Sequence, residues 1–385
     1  MPESRKPRLY PVAEPDIGER EASYVMDAVR SGWVSSLGSY IDLFERKFAA
    51  YCGAQYGIST CNGTAALHLA LAALGVGPGD EVIVPTLTFV ATANAVLYAG
   101  AAVVFADVEP ETWCIDPAAV ECALTPRTRA VIPVHLYGHP ADLDRIMPLA
   151  VARGVPVIED AAEAHGALYK GRRVGGIADV GVFSFYGNKV ITTGEGGMLV
   201  TNRQELAERA RFLHGHAMTP ERRYWHPELG FNYRMTNLQA ALGVAQLERI
   251  DELLARKRVL MQWYRELLAD CEGVMLNPCA PWAESCYWLV SALLPPGVRR
   301  DTVAAELRRE GVDTRPLFYP LHTLPYLKRR GDSQPDGGAF PVAEGIARRG
   351  LSLPSGTRLK RDDVEQIAAA FKRALARAHD ASGAA

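Results

Sequence analysis

The stretch SFYGNKVITTGEGGM, residues 184–198, decides the fold. It ends one short apolar run, VGVFSF (180–185), turns through Lys189 and Thr-Thr-Gly-Glu-Gly-Gly, and enters a second, GMLVTN (197–202). Apolar runs of this length bounded by glycine-rich turns read as buried strands, so Lys189 is expected at the mouth of a sheet. Working outward, EVIVP (81–85), AVVFADV (102–108), RAVIPVHL (129–136) and PVIED (156–160) alternate with helical patterns at 117–124 and 142–153. That alternation predicts an α/β layer with a mostly parallel sheet.

A lone loop lysine is ordinarily a solvated one, and two neighbouring segments argue otherwise. In STCNGTAALHLAL (59–71) a strand end meets Asn-Gly-Thr and a strongly helical run. The amides of Gly63, Thr64 and Ala65 at that helix start form an anion site suited to phosphate, or the segment is a plain N-cap. In PVIEDAAEAHG (156–166) a strand ends in Glu159 and Asp160 at the edge where α/β sheets bind ligands. An aspartate there can cap a helix, hold magnesium or pair with a cationic ring nitrogen. A lysine for an aldehyde, an acid for a pyridinium nitrogen and a helix N-terminus for a phosphate together match the needs of pyridoxal phosphate. The glycine-rich GVGPGD (75–80) precedes a strand instead of following one, so it reads as a helix C-cap and turn, not a dinucleotide fingerprint.

The chain of 385 residues is long enough for two domains, with a net charge of −2 that draws it to neither nucleic acid nor an anionic membrane. Seven scattered cysteines with no C-x-x-C pair read as reduced, buried and structural, and no metal site is expected, since His214 and His216 lack partners at ligand spacing. The opening MPESRKPRLYPVAEPD is charged and proline-rich where a signal peptide is apolar, and no apolar run reaches a membrane span, so a cytoplasmic location is expected. Ala22, Val25, Met26 and Val29 recur on one helical face, predicting a packed amphipathic helix. Thr236 and Gln239 form a capping box opening a long helix through Ile250 to about Leu268. Beyond it lie a strand at 286–294 and helices at 301–310, 341–349 and 361–378. The domains expected are a large one at 1–250 and a smaller α+β one at 251–385.

With these segments in order, the chain resembles the DegT/DnrJ/EryC1/StrS family of nucleotide-sugar aminotransferases. The likeness runs through PVAEPDIGE, SGWVSS, CNGTAALHLAL, PTLTFVATANA, VIEDAAEAHGA, SFYGNKVITTGEGGM, NYRMTNLQAAL and LSLPS. The resemblance implies the aspartate-aminotransferase-like fold and pyridoxal 5′-phosphate as cofactor. It implies that Lys189 carries the cofactor and shuttles the proton, that Asp160 faces the ring nitrogen and Glu163 the ring hydroxyl, and that Phe89 stacks on the ring. It places the phosphate on Gly63, Thr64 and Ser184. Asn232, which on local sequence is equally a turn residue, would reach the phosphate of a neighbouring subunit, implying a homodimer with shared sites. SFYGNK, SGWVSSLGSYIDLFE and TRPLFYPLH (314–322) are most similar to members that move the amino group of L-glutamate to C4 of GDP-4-keto-6-deoxymannose. Arg315, Tyr319 and His322 are the sugar-nucleotide candidates, unless TRPLFYPLH is only a proline-braced strand exit. Amination of a UDP- or dTDP-keto sugar at C3 or C4 stays open, as do a sugar dehydratase and a non-catalytic cofactor-binding regulator.

Overall fold

The computed structural model describes residues 9–219, 221–330 and 339–383. Its central layer is a seven-stranded sheet. Strands β1 (Tyr56–Thr60), β2 (Glu81–Pro85), β3 (Ala102–Ala106), β4 (Thr128–Val131) and β5 (Ile158–Asp160) are joined by Val180–Ser184 and Gly197–Thr201. The parallel trio β3–β2–β4 meets β5 through the bridges Val131–Val157 and Val134–Asp160. Next come Val180–Ser184, Gly197–Thr201 and β1. Gly197–Thr201 alone runs against its neighbours, because the TTGEGG turn folds it back beside Val180–Ser184.

Helices cover the sheet. α1 (Glu19–Arg30), α2 (Ser39–Cys52), α3 (Gly63–Ala73) and α4 (Ala91–Tyr98) lie in the first hundred residues. The sequence of α3, GTAALHLALAA, is apolar nearly all round, as befits a helix buried on several sides, and its residues Ala65 to Leu71 are all buried. Asn62 caps it, its Oδ1 accepting the Ala65 N–H at 2.8 Å, so the helix N-terminus is aimed from the end of β1 toward Ser184. A smaller antiparallel sheet, in the order Met275–Leu276, Val290–Leu293, Gly350–Leu353, Arg315–Pro316, packs with helices at Ile250–Leu267, Arg300–Arg309 and Arg361–Gly383. It has its own apolar cluster, including Leu260, Tyr264, Val290, Leu353 and Phe371, which Tyr10 joins from the other end of the chain.

Four expectations change. The long helix is two, Asn237–Leu247 and Ile250–Leu267, broken at Arg249, whose guanidinium turns to Glu21 at 2.9 Å and Asp16 at 3.4 Å. The predicted stripe of α1 does not face the core: Glu21, Tyr24 and Ala28 do, Glu21 accepting from Gln246 Nε2 at 2.7 Å, while Ala22, Met26 and Val29 are exposed. Only Cys52, Cys114 and Cys286 are fully buried; Cys122 and Cys279 are exposed, and all seven are free. Several predicted strands are also shorter, 286–294 reducing to Val290–Leu293 because Cys286, Tyr287 and Trp288 turn inward instead. Among the described residues no helix is long and apolar enough to cross a membrane.

Candidate active site

A cavity of about 710 Å³ opens at the C-terminal edge of the parallel strands, where ligands of α/β sheets bind. Of the residues singled out from sequence, it is lined by Gly63, Thr64, Phe89, Asp160, Glu163, Ser184, Lys189 and Arg315. Those positions span 250 residues of chain, and the sheet edge brings them together because strands β1, β2, β5 and Val180–Ser184 all end there.

Strand alternation assigns the two acids. Successive side chains of a strand face opposite sides, so Asp160 enters the cavity wall while Glu159 points behind it. Glu159, fully buried, accepts the amides of Gly175, Ile177 and Ala178 at 2.7–2.8 Å and a bond from His135 Nε2 at 3.1 Å. His135 Nδ1 accepts the Ala141 N–H, which leaves Nε2 as the protonated nitrogen. Glu159 is thus a structural acid pinning the Gly175–Ala178 turn. Asp160 Oδ2 accepts the Thr92 hydroxyl at 2.8 Å and Oδ1 the Ala162 N–H at 3.2 Å. Burial raises its pKa, against those two hydrogen bonds, and among the described residues it forms no ion pair. A buried carboxylate so placed is completed by a cationic partner within the cavity.

Lys189 is nearly enclosed. Its Nζ lies 3.6 Å from Glu163 Oε1 and 3.9 Å above the ring of Trp288, whose indole N–H donates to Asn188 O at 2.7 Å. Burial pulls the lysine pKa down and pushes that of Glu163 up to about 7, although each partially restores the charge of the other. Desolvation therefore favours a neutral amine, the nucleophilic form needed to attack an aldehyde. Glu163 Oε2 also accepts the Tyr137 N–H at 2.9 Å.

At the opposite end, a Cβ on Gly63 would sit 2.8 Å from Ser184 Cβ, so only glycine lets the start of α3 approach the strand end this closely. The helix N-terminus, the Ser184 hydroxyl and Thr64 thus line one end of the cavity, a setting suited to an anion. A second glycine is required at Gly138, with φ 96° and its missing Cβ space occupied by Cys286 Sγ at 2.6 Å. That approach, with the Cys286 N–H on Gly138 O at 3.2 Å, brings Trp288 to the lysine.

The remaining candidates lie elsewhere. His322 does not line this cavity: it is buried between Thr86 Oγ1 at 2.7 Å and Glu344 Oε1 at 3.2 Å and packs on Phe340. Tyr319 is exposed on the other side of its segment from Phe318, in a surface groove with Arg299, Arg300 and Arg348. Neither residue lines the cavity that holds Lys189, whereas Arg315 and Phe318 do. Asn232 sits in the bridge with Gly215 and lines no part of its own protomer's cavity. Sequence reasoning missed Thr92, Tyr137, Asn188 and Trp288. Thr92 lies inside the quoted PTLTFVATANA and Asn188 inside SFYGNK, but only the fold shows what they touch.

Comparison with known proteins agrees with this geometry. Residues 15–372 match the model of the DegT/DnrJ/EryC1/StrS aminotransferase family. The chain is 45% identical over 373 residues, 96% of its length and 99% of the relative's, to a GDP-perosamine synthase of Caulobacter vibrioides. Among solved structures it is similar to DesV of S. venezuelae, with 38% identity, TM-score 0.86 and 92% and 94% of the two chains covered. It is likewise similar to a Streptococcus pneumoniae protein described as a sugar aminotransferase and solved in its PLP form, with 29% identity, TM-score 0.90 and 96% and 99% covered. The residues fit that cofactor: a desolvated lysine, a buried acid that among the described residues forms no ion pair, and a helix start that glycine lets approach Ser184.

Proposed function

The chain belongs to the DegT/DnrJ/EryC1/StrS aminotransferase family, and from that premise we propose that it moves the amino group of L-glutamate to C4 of GDP-4-keto-6-deoxymannose, forming GDP-perosamine. The enzyme is a pyridoxal-phosphate-dependent sugar aminotransferase. What carries the finer reading is the near full-length likeness to a GDP-perosamine synthase, together with one guanidinium, Arg315, among the described cavity-lining residues. A sugar nucleotide brings a diphosphate that needs such a fixed cation.

The bound cofactor supplies an aldehyde that takes up and releases the amino group and a ring that accepts the electron pair. In this reading Gly63, Thr64 and Ser184 hold its phosphate, and Asp160 keeps a proton on the ring nitrogen by offering it a buried negative partner. Glu163 faces the ring hydroxyl and Phe89 the ring. Lys189 would hold the cofactor between turnovers and, when free, carry the proton from the donor's α-carbon; burial, which lowers its pKa, favours the neutral amine this needs. Residues 1–250 are read as the cofactor-binding part and 251–385 as the smaller part, an assignment supported by the second apolar cluster. A cytoplasmic location accords with seven free cysteines.

The working unit is read as a homodimer with shared sites. Two observations support it: the outward stripe of α1 continues into exposed Trp33, Val34 and Leu37, and Asn232 stands outside its own cavity. Mixing inactive Lys189→Ala and Asn232→Ala proteins should restore activity through hybrid sites, and failure despite proven subunit exchange would return Asn232 to its own subunit. The substrate is tested by assaying glutamate with GDP-, UDP- and dTDP-4-keto-6-deoxy sugars and locating the new amine by NMR. Preference for a UDP or dTDP sugar, or a C3 amine, would overturn the substrate.

A further inference from the structure

Tyr137 lies behind the cavity wall and bonds two residues that line it, Glu163 and Phe318. Its backbone is left-handed, φ 51° and ψ 20°, a conformation that side chains other than glycine rarely adopt. That turn directs its N–H to Glu163 Oε2 at 2.9 Å. Its fully buried ring is stacked between Trp288, at 6.1 Å and 12°, and Phe318, at 5.3 Å and 13°. Trp288 in turn covers Lys189 Nζ, and Phe318 touches the ring of Phe89 at 5.7 Å. The Tyr137 hydroxyl accepts the Phe318 N–H at 3.0 Å.

The last contact matters because of how residues 315–318 leave the small sheet. Arg315 and Pro316 pair with Ser352 and Leu351, and the Leu317 N–H still reaches Gly350 O at 3.0 Å. Pro316 has no N–H to give, and at Phe318 the chain has left the ladder. The acceptor for that next amide is the Tyr137 hydroxyl, supplied from the short 3-10 turn Leu136–Gly138, 181 residues away. We propose that Tyr137 is a positioning residue: one side chain holds Arg315 and Phe318, on the substrate side, at a set distance from the Lys189–Glu163 pair. The proposal rests on the aminotransferase reading above.

Tyr137→Phe keeps the ring stack and the backbone N–H and removes only the acceptor. Hydrogen exchange of the holoenzyme, read by mass spectrometry on peptides covering residues 315–320, should show the Phe318 amide exchanging about 3- to 10-fold faster than in wild type, the range of one lost hydrogen bond. KM for GDP-4-keto-6-deoxymannose should rise by a similar factor, about 3- to 10-fold, while kcat, cofactor absorbance and cofactor content stay at wild-type values. Unchanged exchange, or an unchanged KM, would overturn the assignment. So would a joint fall in kcat and cofactor content, which marks a general packing role. If wild type fails to aminate this sugar, the proposed substrate falls, and the exchange measurement still decides Tyr137.

Discussion

Replacing Trp288 tests whether the indole sets the protonation of Lys189. The Nζ lies 3.9 Å from the ring centre in a setting from which water is largely excluded. A cation over an indole face is stabilised by ~0.5–2 kcal/mol. The contact therefore holds the lysine pKa up against the burial that lowers it. Trp288→Phe keeps an aromatic face but loses the indole bond to Asn188 O, whereas Trp288→Leu keeps an apolar wall and loses the face as well. The pKa of Lys189 in cofactor-free protein can be read by competitive acetic anhydride labelling across pH, with mass spectrometry of the Lys189 peptide. The lysine pKa in Trp288→Leu is expected below that in Trp288→Phe. Equal values, or a higher value in the leucine variant, would show that the ring contributes no charge stabilisation and that Trp288 is only a lid.

Other perturbations follow from the same geometry. Asp160→Asn should retain the fold, since the amide oxygen can still accept the Ala162 N–H while the amide NH2 donates to the Thr92 hydroxyl, but lose about 100-fold in turnover at saturating cofactor; near wild-type turnover would show that another acid serves the ring. Gly63→Ala pushes a methyl to within 2.8 Å of Ser184 Cβ and should weaken cofactor binding about tenfold or more, measured by titrating apoenzyme absorbance; undiminished affinity would remove the phosphate from this end of the cavity. Glu163 binds a proton more tightly folded than unfolded, with a pKa raised from 4.5 to about 7. Its contribution to stability is therefore full below about pH 4.5 and lost as pH rises through 7, of order 3 kcal/mol in cofactor-free protein. Denaturant titrations of Glu163→Gln should lack that decline between pH 5 and 8, and a slope equal to wild type would assign the titration to another group.

That Lys189, the Gly63 helix start and Asp160 lie at strand ends was legible because each sits at a junction whose signals are local. Strand, turn and helix follow one another within about fifteen residues, and Asn62, Gly63 and the TTGEGG turn act on their own backbone. The capping box of Thr236 and Gln239 was legible for the same reason, and so were helix 341–349 and the sheet core. The partners of Arg249 at the helix break, Asp16 and Glu21, were hidden because they lie more than 220 residues earlier. The outward turn of the α1 apolar stripe was hidden because periodicity reports a face but not what the face meets.

Sequence alone determined which backbone segments could bind an anion, present a lysine or end a strand in an acid, since these depend on hydrogen bonds and dihedral preferences between neighbours in the chain. Tertiary structure alone decided which of two adjacent acids faces the cavity, and that His322 holds Thr86 and Glu344 instead of lining it. It also decided that Tyr137 and Trp288, from segments 150 residues apart, stack beside Lys189. Those outcomes are set by side-chain packing between distant segments, where close-packed interiors admit one arrangement and no local rule in the chain encodes the partner.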